Sequence, residues 1–151
     1  MGTSLREVYD LFMQQITDYR LTDLFETSED DFDTYLEAWL IFSINDFSQC
    51  DQSLAYDEYA KEFCITLTAQ NKVILSTLMM KYWLQKLVND VTQMNLHITD
   101  RDFKIASEAQ NLREKTTYLN IVKEKCSQML QNYDYGNVEW DDWANQSFEG
   151  D

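Results

Sequence analysis

Proline is absent from this chain of 151 residues, and glycine occurs only at Gly2, Gly136 and Gly150. These are the residues that punctuate turns and hairpins, so their scarcity argues against a loop-rich β architecture and for long helices. Histidine occurs once, at His97 between Leu96 and Ile98, and a single imidazole gives zinc no ligand set. Cys50, Cys64 and Cys126 are an odd count with no CxxC spacing, which excludes a disulfide framework and reads as thiols buried like small hydrophobes. No stretch reaches the roughly 20 apolar residues of a membrane span. The opening "MGTSLREVYD" lacks the basic, apolar and cleavage regions of a secretion signal, and Arg6 stands where myristoylation wants Ser or Thr. The chain is therefore expected to remain in the cytoplasm where it is made, with no membrane partner. Basic residues are scarce too: 12 Lys and Arg face 27 Asp and Glu, a net charge of −15. Gripping nucleic acid through its phosphates needs clustered Lys and Arg, so that function is excluded. Catalysis also lacks its parts, since no nucleophile stands beside a base and no glycine-rich loop cradles phosphate. The expectation is a protein that is not an enzyme and takes no cofactor and no metal.

What is present is amphipathic. The 44% hydrophobic content suffices for one core at this length, and the fold class is all-α: a compact bundle of four to five helices with one long C-terminal helix. Residues 1–133 form the single helical domain, and 134–151 an extended acidic-aromatic tail. "SLREVYDLFMQQI" opens with Ser4 and Glu7 in capping-box spacing and predicts a first helix over 4–17. Ser28 and Asp31 open a second, "SEDDFDTYLEAWLIFSINDF", with Phe32, Tyr35, Leu36, Trp39, Leu40, Ile44 and Phe47 at three-and-four spacing. Its first turn and a half is crowded with Glu29, Asp30, Asp31 and Asp33, which favour the positive end of the helix dipole. A calcium loop would need a central glycine and a terminal glutamate in register, and neither is there. A loop is read over 48–53 and a short helix near 54–63. "TAQNKVILSTLMMKYWLQKLVNDV" is the most apolar segment and predicts the central helix, with Met79 and Met80 as core filler. "TQMNLHIT" alternates Met94, Leu96 and Ile98 and reads as an extended connector. Thr99 with Asp102 marks the next helix start. From there Ile105, Ala109, Leu112, Thr116, Leu119, Lys123, Cys126, Leu130 and Tyr133 step by four and three in a heptad-like seam, with Thr116 and Lys123 its weak members. Gly136 stops that helix as a C′ residue.

Charge is segregated along the chain. Residues 1–58 carry 14 acids and 2 bases, residues 59–133 carry 7 acids and 10 bases, and residues 134–151 carry 6 acids and no base. Such an acidic surface keeps a protein soluble. It also suits a wall past which polyphosphate slides, with Glu26, Glu29, Asp30, Asp31 and Asp33 as candidates for the acidic channel face. The closing "YDYGNVEWDDWANQSFEGD" holds aromatics that a merely solvating tail has little use for. Tyr133, Tyr135, Val138, Trp140, Trp143 and Phe148 are the candidate docking residues, with the two tryptophans as anchors.

The order, length and character of "LREVYDLFMQQITDYRLTDLF", "EDDFDTYLEAWLIFSINDFSQCDQSLAYD", "NKVILSTLMMKYWLQKLVND" and "AQNLREKTTYLNIVKEKCSQMLQNYDYG" resemble the small helical head–tail connector (neck adaptor) proteins of tailed bacteriophages. That resemblance spans most of residues 5–136, without any short diagnostic motif. It implies a virion protein of the neck whose copies, about a dozen, close into a homo-oligomeric ring below the portal protein and above a stopper or tail-completion protein. DNA would pass through without specific binding, and a terminal segment would grip the portal or an adjoining subunit. Two other functions use the same features: an acidic DNA mimic that blocks a host nucleic-acid-binding protein, and an assembly chaperone held to its client by the tail.

Overall fold

The computed structural model describes residues 2–97 and 102–136, with the side chains of 91 and 93–109 left aside. Five α-helices and one two-stranded sheet occur among the described residues: α1 (Leu5–Gln15), α2 (Tyr19–Thr27), α3 (Glu29–Asp46), β1 (Tyr56–Asp57), β2 (Glu62–Phe63), α4 (Ala69–His97) and α5 (Asp102–Gly136). The fold is the expected all-α bundle with one long C-terminal helix.

Each early helix starts on a side-chain cap. Ser4 Oγ accepts from Arg6 N at 3.2 Å, so α1 is capped, but the reciprocal box with Glu7 is not made because Glu7 pairs with Lys72 instead. Leu5, Val8, Tyr9 and Phe12 then bury one stripe of α1. The second helix, α2, is not among the elements expected from spacing. Its cap, Asp18, accepts from Arg20 N at 3.0 Å and also from the Trp83 indole N–H at 3.0 Å, which staples the start of α2 to α4. Ser28 serves twice, closing α2 with its backbone N–H on the Leu24 carbonyl and opening α3 by accepting from Asp31 N. Phe32, Leu36, Trp39 and Leu40 form the buried stripe of α3.

The short helix expected near 54–63 is instead an antiparallel hairpin pairing Tyr56 with Phe63 and Asp57 with Glu62. Helical periodicity in "LAYDEYAKEF" is overridden by local turn chemistry. Asp57 Oδ1 accepts from Tyr59 N at 2.8 Å and Ala60 N at 3.0 Å, an Asx turn that competes with helix, and Lys61 takes the left-handed conformation at φ 55 that closes it. The chain start joins this sheet. Thr3 N donates to the Ile65 carbonyl (3.1 Å), Phe63 N to the Thr3 carbonyl (2.7 Å) and Leu5 N to the Lys61 carbonyl (3.0 Å). Gly2 lies so close to this edge that an added Cβ would stand 1.7 Å from the Phe63 carbonyl oxygen.

The central helix is α4, against which α1, α3 and α5 all pack. Ile74, Leu75, Leu78, Met79, Met80 and Leu84 are buried, while Val73 is half exposed. The extended connector expected at 92–99 is corrected as far as His97, because α4 continues through it; Ile98 and Thr99 lie outside the described residues. Alternation over three apolar residues was too short to arbitrate between strand and helix. Along α5, Leu119, Cys126 and Tyr133 are buried as the seam expects, but Thr116 and Lys123 are exposed and Val122 is buried. The observed seam keeps Leu112, Leu119, Cys126, Leu130 and Tyr133, adds Met129, and takes Lys115 and Val122 in place of Thr116 and Lys123; the side chains of Ile105 and Ala109 lie outside the described residues. Gly136 is the last helical residue of α5, and no described glycine has positive φ, so it is not a left-handed C′ cap. Of the thiols, Cys126 is buried and Cys50 half-buried as small hydrophobes would be, but Cys64 is exposed on the sheet; all three are free.

Two substitutions test this packing. Gly2→Ala forces backbone to move at the sheet edge and is expected to lower stability by about 1–3 kcal/mol in chemical denaturation, the usual cost of overpacking. The buried Tyr9 hydroxyl has no hydrogen-bond partner among the described residues, so Tyr9→Phe should leave stability unchanged or raise it in the same assay.

Candidate functional site

The acidic corner is built where α2 turns into α3. Glu26 lies in the last turn of α2, exposed, and Glu29, Asp30 and Asp31 lie in the first turn of α3, also exposed. Asp33 lies two positions beyond Asp31 and is half-buried. Arg6 from α1 draws off part of this charge: its guanidinium donates to both Asp33 oxygens at 3.0 and 2.9 Å and stands 3.6 Å from Glu29 Oε2. The Phe25 ring lies 5.2 Å from the same guanidinium, a cation–π contact, and packs its edge on Phe32. Asp33 and Glu29 are therefore tied into the subunit. Glu26, Asp30 and Asp31 have no ion pair among the described residues and form the free acidic edge.

The cations divide in the opposite sense. Within residues 2–97 every Lys and Arg is paired: Arg6 as above, Arg20 with Asp18, Lys61 with Glu37, Lys72 with Glu7, Lys81 with Asp46 and Lys86 with Asp90. Along α5, Arg113, Lys115, Lys123 and Lys125 have no ion-pair partner among the described residues. Exposed pairs contribute little to stability, so the pairing matters chiefly for where uncompensated charge remains. It remains negative at the α2–α3 corner and close to balanced along α5, where Glu114, Glu124 and Asp134 are likewise in no ion pair among the described residues. Which of the ten bases of residues 59–133 are paired is not legible in sequence, because Lys61, Lys72 and Lys81 find their partners on remote helices.

Two clefts flank α5. One, of about 510 Å³, lies between the start of α4 and the end of α5, floored by Val73, Ile74, Met129 and Tyr133 and rimmed by Lys125, Gln128 and Asn132. The other, of about 390 Å³, holds Asp46, Lys81, Tyr82, Lys123 and Cys126. There Lys81 and the Tyr82 hydroxyl both donate to Asp46, which leaves the carboxylate internally satisfied. Burial pushes the Cys126 thiol up, so this cleft does not hold a reactive thiolate.

Among the expected docking residues, Tyr133 is corrected to the core. It is buried, packs edge-on against Phe47 at 4.9 Å, accepts from Asp51 N at 3.0 Å and donates to the Asp51 carboxylate. A phenol at the end of a long helix looked free in sequence because its partner lies in a loop more than eighty positions away. Tyr135 is 72% exposed on the last turn of α5. Val138, Trp140, Trp143 and Phe148 lie outside the described residues. Tyr59, 99% exposed at the hairpin tip, had no distinguishing signal in the sequence. Among the described residues, no group of three or more His, Cys, Asp or Glu could hold a metal ion, and no helix is long and apolar enough to cross a membrane. Comparisons with protein-family models, with curated proteins and with solved structures return no match to this chain.

Titration follows from these contacts. The Tyr133 hydroxyl and the Asn71 amide hold the Asp51 carboxyl below its ordinary value. Burial pushes Asp18 up, but the Trp83 indole and Arg20 outweigh it and hold it low. A carboxyl held low stabilises the fold above the unfolded-state value of about 4 and loses that contribution as pH falls further. Tyr56 is pushed up to about 12 by burial and by Glu37. Its contribution is complete below about pH 10 and is lost as pH rises toward 12, since the unfolded phenol ionises first. Urea midpoints measured across pH should fall on both limbs, and Tyr133→Phe should flatten the acid limb; an unchanged acid limb in that variant would show that the hydroxyl does not set the Asp51 titration.

Proposed function

We propose that the chain is a non-enzymatic structural subunit of a tailed-phage virion, a head–tail connector whose copies form a ring below the portal protein and extend the DNA channel toward the stopper or tail-completion protein. The observation that carries this reading is the separation of uncompensated charge on one rigid helical subunit. The carboxylates of Glu26, Asp30 and Asp31 have no cation beside them, so phosphate meeting them is repelled and not held. The free cations of α5 lie on another element, where they can meet an acidic surface of a neighbouring protein. An acidic corner on one element and a helix with unpaired Lys and Arg among its acids on another suit a head-to-tail contact, and contacts of that kind generate rings when the rotation closes. Synthesis would be in the host cytoplasm, with assembly placing the protein in the neck.

Residues beyond Gly136 supply the docking chemistry in this reading, with Trp140 and Trp143 as anchors for the portal or an adjoining subunit. Alanine at both is expected to cost about 2 kcal/mol or more each in binding if they are central to an interface. Removal of residues 137–151 should leave helical circular dichroism intact and abolish attachment to portal-containing heads.

Mass spectrometry of purified virions tests the function itself, with stoichiometric presence in the neck as the expected result. Absence from virions combined with recovery of a basic host protein on the chain would overturn it in favour of a DNA mimic; presence only in assembly intermediates would overturn it in favour of a chaperone.

A further inference from the structure

We propose that the exposed stripe of α5 between Glu114 and Lys125 is a docking surface for a second copy of the chain, which lies against it antiparallel across a twofold axis. In "EKTTYLNIVKEK", Glu114, Tyr118, Ile121 and Lys125 step by four, three and four, so they share one face of the helix beside the buried seam. All four are exposed, Tyr118 by 48% and Ile121 by 56%. Val73 of α4, itself 46% exposed, and Met129 extend the apolar surface past Lys125, since they line one cleft with it. Neither of the two end charges has an ion-pair partner among the described residues. There Glu114 accepts only from the Gln110 side-chain amide, at 3.3 Å on Oε1.

Charge and apolar spacing together choose the occupant. Across a twofold axis between positions 119 and 120, Tyr118 meets the second copy's Ile121 and Glu114 meets its Lys125, and each pairing occurs twice. The stripe is complementary to itself when reversed. A parallel copy would set Glu114 on Glu114 and Lys125 on Lys125, and an antiparallel copy slipped by one heptad would set Ile121 against Lys125 and Tyr118 against Gln128. Both are worse, because like charges in contact repel and an apolar side chain gains little beside an ammonium. The exposed ion pairs add little affinity but fix the register, while Tyr118 and Ile121 supply the apolar contact. Residues 114–125 span about 17 Å of helix on each copy, which is short for a standard interface, so the association is weak and reversible. The contact is isologous where a ring needs a head-to-tail one, so the inference is separate from the connector reading and stands whether or not the protein is a connector.

Sedimentation equilibrium of the full chain over a hundredfold range of concentration, reaching about a millimolar, tests it, with a monomer–dimer equilibrium as the expected result. Glu114→Lys and Lys125→Glu each place two like-charge contacts in the dimer and should each weaken association by about tenfold or more. The double variant should restore it, with helical circular dichroism unchanged in all three because both positions are exposed. A benzophenone amino acid in place of Tyr118, irradiated in a mixture of isotopically light and heavy chains, should give light–heavy crosslinks to residues 117–125. A monomer at every concentration overturns the proposal and leaves the stripe to another protein. Dimers indifferent to the charge reversals, a double variant that stays weak, or crosslinks elsewhere on the second copy overturn it as well. Closed rings with no crosslink at Tyr118 overturn it while leaving the connector reading in place.

Discussion

Burial of α4 around its circumference is the constraint on which the rest of the structure depends. Between Ile74 and Met80 every residue of this helix is buried, so no face of that stretch can be left to water. One neighbour cannot cover a whole helix, and α1, α3 and α5 are all required. The two polar residues in the stretch are accommodated locally. Ser76 and Thr77 both donate to the Val73 carbonyl at 2.8 Å, and the Gln15 side chain reaches across from α1 to Ser76 at 2.9 Å. Buried hydroxyls satisfied in this way cost little, and they fix the rotation of α4 relative to α1.

Polar clamps then decide how the outer elements are oriented. Asn71 donates to Asp51 and to Gln52, Gln52 accepts from Thr68 N, and Tyr133 closes the set from α5 through Asp51. The end of the longest helix is thereby tied to the start of the central one through the loop after α3. At the opposite side Arg6 links α1 to α3 through Asp33, and Asp18 links α2 to α4 through Trp83. These links consume cations of the N-terminal half and leave those of α5 uncompensated. The electrical asymmetry of the surface is thus a by-product of how the core is fastened.

That asymmetry connects fold to function. A subunit whose acidic α2–α3 corner and charge-balanced α5 are joined through a packed core presents two chemically different surfaces in a fixed relation. Long-range electrostatics of this kind sets which partners approach and in what orientation more than it sets affinity. Affinity has to come from apolar anchors.

The sequence by itself determined the helical class, the caps at Ser4 and Ser28, the buried stripes of α1 and α3, and the central place of the apolar helix, because each follows from local spacing and composition. Heptad spacing also placed Leu112, Leu119, Cys126 and Tyr133 on one face of α5. Only the tertiary structure decided which intermediate positions join them, since the choice of Val122 over Lys123 depends on the helix that α5 meets. It alone decided that 56–63 is a hairpin, where Asp57 and the chain start at Thr3 outweigh helical periodicity, and that Tyr133 is an internal clamp, because Asp51 is remote in sequence. Charge totals were legible from composition, but which charges are free was not: an ion pair is a matter of distance in space, and the chain lists its residues in another order.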